Sequence, residues 1–231
     1  MTRLHRDTMR ALIDDIAGGR IAEGEWLPKE VDLAQRFGVS RGVARETIRA
    51  LEERGVVAVR HGRGARVRPV ADWDILDNDV LAALVSGGPD GDVLGEALEC
   101  RRLLEGAAAA EAAAHVRPGQ ARELTESFAR LRTAAHEGAG LAQAVSDHRR
   151  TLARASANRP LARMLGALDA IDTVTLTGIS RSAATRVVER QERIIDAVCG
   201  GDAEAARAAV EDDVAATAEL VTRRRRDRRR R

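Results

Sequence analysis

Three arginines at four-residue spacing, Arg41, Arg45 and Arg49, are the first residues of this chain whose types and placing could do chemistry. Each stands about one helical turn from the next, so they form a stripe on one side of a helix while Ala44, Ile48 and Leu51 occupy the other. A guanidinium fork matches phosphate oxygens and the major-groove edge of guanine, so such a stripe suits a nucleic acid. Ser40 stands just before it, where a hydroxyl accepts from the free amides of a helix start. Further along, His61-Gly62-Arg63-Gly64 supplies a basic, glycine-containing loop.

A second set of polar residues interrupts apolar helical stripes. Arg101 and Glu105 share a face with Leu94, Leu98 and Ala108; Arg149 lies with Val145 and Leu152; Gln191 with Val188, Ile194 and Ile195; Asp213 beside Val210 and Val214. A buried polar group without a partner costs roughly 1–3 kcal/mol, so these residues must find one. Two accounts stand side by side. In one they form a buried network, for instance Arg149 with Asp213 and Arg101 with Glu105. In the other Arg101 and Arg149 hold the carboxylate of a small organic acid, Gln191 and Asn158 meet its hydroxyls, and Asp213 completes the site.

The elements that position the first set are legible locally. Residues 29–37 carry Leu33, Ala34 and Phe37 on one helical face, Gly38 provides the turn, and residues 41–54 form the second helix, stopped at Gly55. Residues 56–60 and 65–68 alternate as two strands around the glycine loop. Residues 3–17 form a helix packing behind them. A helix–turn–helix followed by a basic hairpin is the winged-helix plan, in which the second helix enters a major groove. After Pro69 comes a linker with Trp73, a short helix at 79–86 and a break at Gly87-Gly88-Pro89-Asp90-Gly91. The rest reads as helices only: 93–115, 119–135, 141–155, 160–178, 183–199 and 203–223, an antiparallel bundle.

Composition agrees with helices. The chain is 44% hydrophobic and only 2% aromatic, with no tyrosine, so its core is built from Leu, Val, Ile and alanine, the best helix former. Net charge is +2 and announces no nucleic acid; the basic character is local. Cys100 and Cys199 lie far apart without a partner motif and are expected to be reduced in the cytoplasm. No run approaches a membrane span, and the N-terminus does not resemble a signal peptide. G-x-S-x-G, a phosphate-cradling glycine loop and zinc-type histidine spacing are all missing, which argues against an enzyme.

These residues also carry a family resemblance. LPKE…LAQRFGVSR..ARE.IRALEERGVV…HGRG resembles the GntR-type winged helix over about residues 3 to 69. The resemblance implies DNA contacts at Ser40, Arg41, Arg45, His61 and Gly62, with Arg63 on phosphate; the helical spacing adds Arg49. Where that family usually shows Pro-Ser-Glu-Arg this chain has Pro28-Lys29-Glu30-Val31, and Gly42-Val43 replace the common threonine pair, so its operator is expected to differ. Residues 73–220 resemble the FadR-type branch, whose helical effector domain is called FCD. The resemblance rests on Trp73–Leu84, Glu99-Cys100-Arg101-Arg102-Leu103-Leu104-Glu105, Leu152–Leu161 and Arg193–Ala209. Its relatives sense small carboxylates, sugar acids or fatty-acyl thioesters, with the arginine matching Arg101 on the carboxylate, and many hold a divalent metal. The metal positions fall on Val145, Arg149, Gln191 and Asp213, where none of the three expected histidines stands. Asp147-His148 does not restore the pair, because adjacent helical residues point about 100° apart. No metal and no other cofactor is therefore expected.

The expectation is a mainly α protein. It has a winged helix–turn–helix at 1–69, a linker with a short helix at 70–91, an all-α antiparallel bundle at 92–222 and a disordered Arg-rich tail at 223–231. It implies a cytoplasmic transcription regulator, read as a repressor. The regulator would bind a palindromic double-stranded operator as a homodimer and respond to a small carboxylate, with no membrane partner. The alternatives are a fatty-acyl or other effector, or no effector at all in an architectural DNA-binding protein.

Overall fold

The computed structural model describes residues 3–87 and 93–229, and the chain falls into two compact units, Met1–Val93 and Leu94–Arg231. In the first, α1 spans Arg3–Ala17, α2 Glu30–Phe37 and α3 Arg41–Glu53; β1 spans Val57–Arg60, β2 Gly64–Val67, and α4 Asn78–Gly87. The strands pair antiparallel from Val57↔Val67 to Arg60↔Gly64. Met9, Leu12 and Ile13 of α1, Leu33 of α2, Ile48 and Leu51 of α3 and Val57 and Val67 of the hairpin close one apolar core. That core fixes α3 by its Ala44–Ile48–Leu51 side and leaves its arginines outside.

Local chemistry sets the boundaries. Gly38 ends α2 in the left-handed region (φ 64°) and donates back to the Ala34 and Gln35 carbonyls. Ser40 caps α3, its Oγ accepting from the Val43 amide at 3.2 Å. Gly55 turns α3 into β1 at φ 71°, and a Cβ there would stand 2.3 Å from the Asp72 carbonyl oxygen. The hairpin is tied to α3 by the Val59 amide donating to Glu52 Oε1 at 3.0 Å.

The segment expected to be a linker is instead part of the first unit. Trp73 is buried and its Nε1 donates to the Arg68 carbonyl at 3.0 Å, while Val80, Ala83 and Leu84 of α4 join the core cluster. The apolar face of α4 needs cover, and α1 provides it, with Arg10 and Asp79 paired at 2.6 Å on the rim. Of the glycine-rich break expected after it, residues 88–91 lie outside the described residues.

The second unit is all helix: α5 Val93–His115, α6 Pro118–Glu137, α7 Leu141–Ala155, α8 Arg159–Gly166, α9 Asp169–Leu176, α10 Arg181–Cys199 and α11 Ala203–Arg229. Its core includes alanine, with Ala108, Ala109 and Ala112 of α5 fully buried. In the rest of the unit α6 packs on α7 and α10, α10 on α11, and α7 on α8 and α9.

Two expectations are corrected here. The helix expected over 160–178 is two helices, broken at Ala167-Leu168; Gly166 beside the break is the local signal. Of the Arg-rich tail expected to be disordered at 223–231, residues 223–229 continue α11, and residues 230–231 lie outside the described residues. Arginine is a good helix former, a helix already nucleated extends cheaply, and cations suit a helix C-terminus.

Candidate functional site

In the first unit the sequence-predicted nucleic-acid residues lie on α3 and the hairpin tip. Arg41 and Arg45 are exposed on the side of α3 opposite its buried face. Arg49 is exposed too, but Glu46 holds its guanidinium at 2.9 Å, so it presents less free charge than spacing alone implied. Ser40 spends one oxygen lone pair on the Val43 amide, which leaves its O–H to donate outward. His61, Gly62 and Arg63 are exposed at the hairpin tip, where the Arg63 amide donates to the Arg60 carbonyl at 2.9 Å. Val31, where an arginine is common in the resembling family, is 45% exposed and offers only an apolar contact.

In the second unit five of the six polar residues singled out from sequence, Arg101, Glu105, Arg149, Gln191 and Asp213, are buried and converge; the sixth, Asn158, is exposed. Arg149 donates to Glu105 Oε2 and Asp213 Oδ2, both at 2.5 Å, and its Nε lies 3.7 Å from Asp172 Oδ1. Gln191 Nε2 donates to Asp213 Oδ2 at 3.0 Å, and Arg190 Nε to Asp213 Oδ1 at 2.7 Å. Arg101 donates to Asp172 Oδ1 and to the Leu168 carbonyl, each at 2.6 Å, and Ser146 Oγ donates to Asp172 Oδ2 at 3.1 Å. The expected Arg149–Asp213 pair is present. The expected Arg101–Glu105 pair is not: Arg101 reaches across to α9, because the helix break there leaves the Leu168 carbonyl and Asp172 facing it.

Sequence reasoning missed Asp172, Arg190 and Ser146. Asp172 carried a signal, a carboxylate between Ile171 and Val174 in an apolar run, but the continuous helix read over 160–178 hid the turn that places it. Asn158 does not belong to the cluster; it is exposed and caps α8, Oδ1 accepting from the Leu161 amide at 3.1 Å.

The cluster is balanced: Arg101, Arg149 and Arg190 face Glu105, Asp172 and Asp213. Burial works against charge on Arg149, but Glu105, Asp172 and Asp213 outweigh it and hold its pKa above the ordinary guanidinium value. Burial raises the Asp213 pKa, and Arg149 and Arg190 more than reverse this, leaving it below the usual carboxylate range. At Glu105 burial wins and its pKa is raised despite Arg149 and Arg101. Beside the cluster, burial first and then Arg149 and Arg130 push the His148 pKa down to about 4. Three buried atoms of the cluster have no hydrogen-bond partner: Glu105 Oε1, Arg149 Nε and Gln191 Oε1.

A divalent metal does not fit these residues. Val145 is a buried alkyl side chain, Arg149 brings its own positive charge to the place, and both Asp213 oxygens already accept from cations. Among the described residues no group of three or more His, Cys, Asp or Glu is placed to hold a metal ion.

Comparison with known proteins places both units. The profile of the bacterial regulatory proteins, gntR family, matches residues 4–67, and that of the FCD domain matches residues 96–216. The galactonate operon transcriptional repressor of Escherichia coli is 35% identical over 42% of this chain and 43% of its own length, less than half of that protein. A second E. coli protein, named for regulation of the L-lactate dehydrogenase operon, is 30% identical over 88% of this chain and 80% of its own length. Among solved structures, that of Lar, described as controlling the Listeria monocytogenes agr system, has TM-score 0.69 at 19% identity. It covers 96% of this chain and 98% of that one, and it shows the shared fold.

Proposed function

The chain belongs to the GntR family of bacterial regulatory proteins and carries the FCD domain; it is a DNA-binding transcription regulator, and on that premise we propose that it is a homodimeric repressor released from or locked onto its operator by a small hydroxy acid. The observation that carries the DNA half is the free guanidinium pair Arg41 and Arg45 on the exposed side of the Ser40-capped α3. We assign base readout to these two, and backbone contacts to Ser40, Arg49, His61, Gly62 and Arg63. One recognition helix covers only a few base pairs, so two copies on a palindromic operator supply the affinity that one lacks.

The effector half rests on the buried cluster of Arg101, Arg149, Gln191 and Asp213. Two unpartnered acceptors and one unpartnered donor, Glu105 Oε1, Gln191 Oε1 and Arg149 Nε, form a set that hydroxyl groups satisfy. Two relatives are named for galactonate and L-lactate dehydrogenase operons, which makes hydroxy acids the class to try. The test is fluorescence anisotropy of the full chain on an operator obtained by selection from random DNA, with and without D-galactonate, D-gluconate or L-lactate. One of these acids should change operator Kd by about 5- to 150-fold, the usual size of allosteric coupling. An operator Kd indifferent to all three overturns the effector assignment and favours a purely structural helical domain.

A further inference from the structure

The buried cluster has a wet neighbour. Between α10 and α11 lies a surface groove of about 380 Å³ lined by Ala183, Arg186, Arg190, Ala216, Glu219 and Arg223, among others. Its size lies within the roughly 300–1,000 Å³ of small-ligand pockets. Ala183 and Ala216 leave the space, since their side chains stop at a methyl. With Arg190 already paired to Asp213, two further cations face one acid: Arg223 is 3.6 Å from Glu219, and Arg186 is exposed with no carboxylate of the groove left to oppose it. Arg190 belongs to both places. Its side chain is only 12% exposed, it lines the groove, and its Nε donates to Asp213 Oδ1 at 2.7 Å, while Asp213 Oδ2 accepts from Arg149 and Gln191.

We propose that this groove is an anion site that takes the carboxylate of a small organic acid between Arg186 and Arg190, and that Asp213 relays its occupancy to the buried cluster. The inference rests on the effector reading above and moves the acid's carboxylate out of the cluster, away from Arg101 and Arg149 to which the sequence assigned it. Charge decides the place. Inside the cluster three arginines already meet three carboxylates, so an added anion would leave an uncompensated buried charge, a cost of several kcal/mol. In the groove the same anion meets excess positive charge at the edge of solvent, and guanidinium forks match its geometry. An anion that draws on Arg190 weakens its bond to Asp213 Oδ1. Asp213 then leans on Arg149 and Gln191 alone, so the groove and the cluster share one carboxylate and report on each other. The unpartnered acceptors of the cluster are left for hydroxyls, and the groove for the carboxylate.

The experiment is calorimetric titration of the full chain with D-galactonate, D-gluconate and L-lactate, and with galactitol as the neutral polyol. It is run on wild type, Arg186→Glu and Arg186→Gln. Arg186 is exposed, so both variants should melt with wild type in the absence of ligand. The proposal expects at least one acid to bind wild type and galactitol to bind at least about tenfold more weakly. It expects Arg186→Glu to lose that acid by at least about tenfold, the size of one hydrogen bond to a charged group, with Arg186→Gln between. Equal binding to wild type and Arg186→Glu overturns the groove and leaves the effector reading standing. No binding of any acid to wild type overturns both. Equal binding of galactitol and the acids removes the charge argument and with it the groove.

Discussion

Replacing Arg149 by methionine is the perturbation that tests the buried cluster most sharply. The guanidinium is 9% exposed and holds Glu105 Oε2 and Asp213 Oδ2, both 2.5 Å away on side chains that are 3% and 2% exposed. Asp213 keeps Arg190 and Gln191 after the change. Glu105 keeps no hydrogen-bond partner, because its other oxygen already has none. Breaking a buried pair by removing one partner costs about 3–5 kcal/mol, most of it the desolvated charge left behind. For a domain of this size that lowers the melting temperature by roughly 10–15 °C. Urea unfolding of wild type, Arg149→Met, Glu105→Gln and the double variant separates the terms. Neutralising Glu105 in the Arg149→Met background should recover at least about 1 kcal/mol, since no stranded charge remains. A single variant within about 0.5 kcal/mol of wild type, or a double variant no more stable than Arg149→Met, would refute the reasoning.

Two further outcomes follow from single positions. Gly55→Ala should destabilise the first unit by at least about 1–3 kcal/mol in thermal unfolding, because φ 71° disfavours a side chain and the new Cβ meets the Asp72 oxygen at 2.3 Å; an unchanged melt would contradict that turn. His148, held neutral with its pKa at about 4 against an ordinary 6.5, binds its proton more readily unfolded, so its stabilisation is present above pH 6.5 and fades as pH falls to 4. The loss is about 3 kcal/mol over that window, and His148→Phe should flatten the stability–pH curve there; an unaltered slope would mean that another group titrates.

What could be read from the sequence was what local chemistry decides. Ser40 caps its own helix through the Val43 amide and Gly38 makes its own turn, so α3 and its free arginines were visible without the fold. Arg149 with Asp213 was also legible, since polar residues on apolar stripes have few partners. Arg101 was misread because Glu105 stands one turn along the same helix, the spacing at which a helical pair meets. The partner that wins, Asp172, comes from a helix whose start depends on a break that neither proline nor a glycine pair announces. Arg190 was silent for a similar reason. Its importance comes from α11 packing against α10, a long-range contact that brings Asp213 beside it. Asn158 failed in the other direction, because a cap satisfies its side chain locally and leaves nothing for a distant ligand.

The most direct test of the account is whether α3 reads sequence through Arg45. Anisotropy titration of the full chain with its selected palindromic operator and a scrambled duplex, at one fixed salt concentration, gives the specificity ratio for wild type and Arg45→Ala. Wild type should prefer the operator, and Arg45→Ala should give up about 1–3 kcal/mol of that preference while keeping its affinity for scrambled DNA within a few-fold. An undiminished operator preference in Arg45→Ala would contradict it.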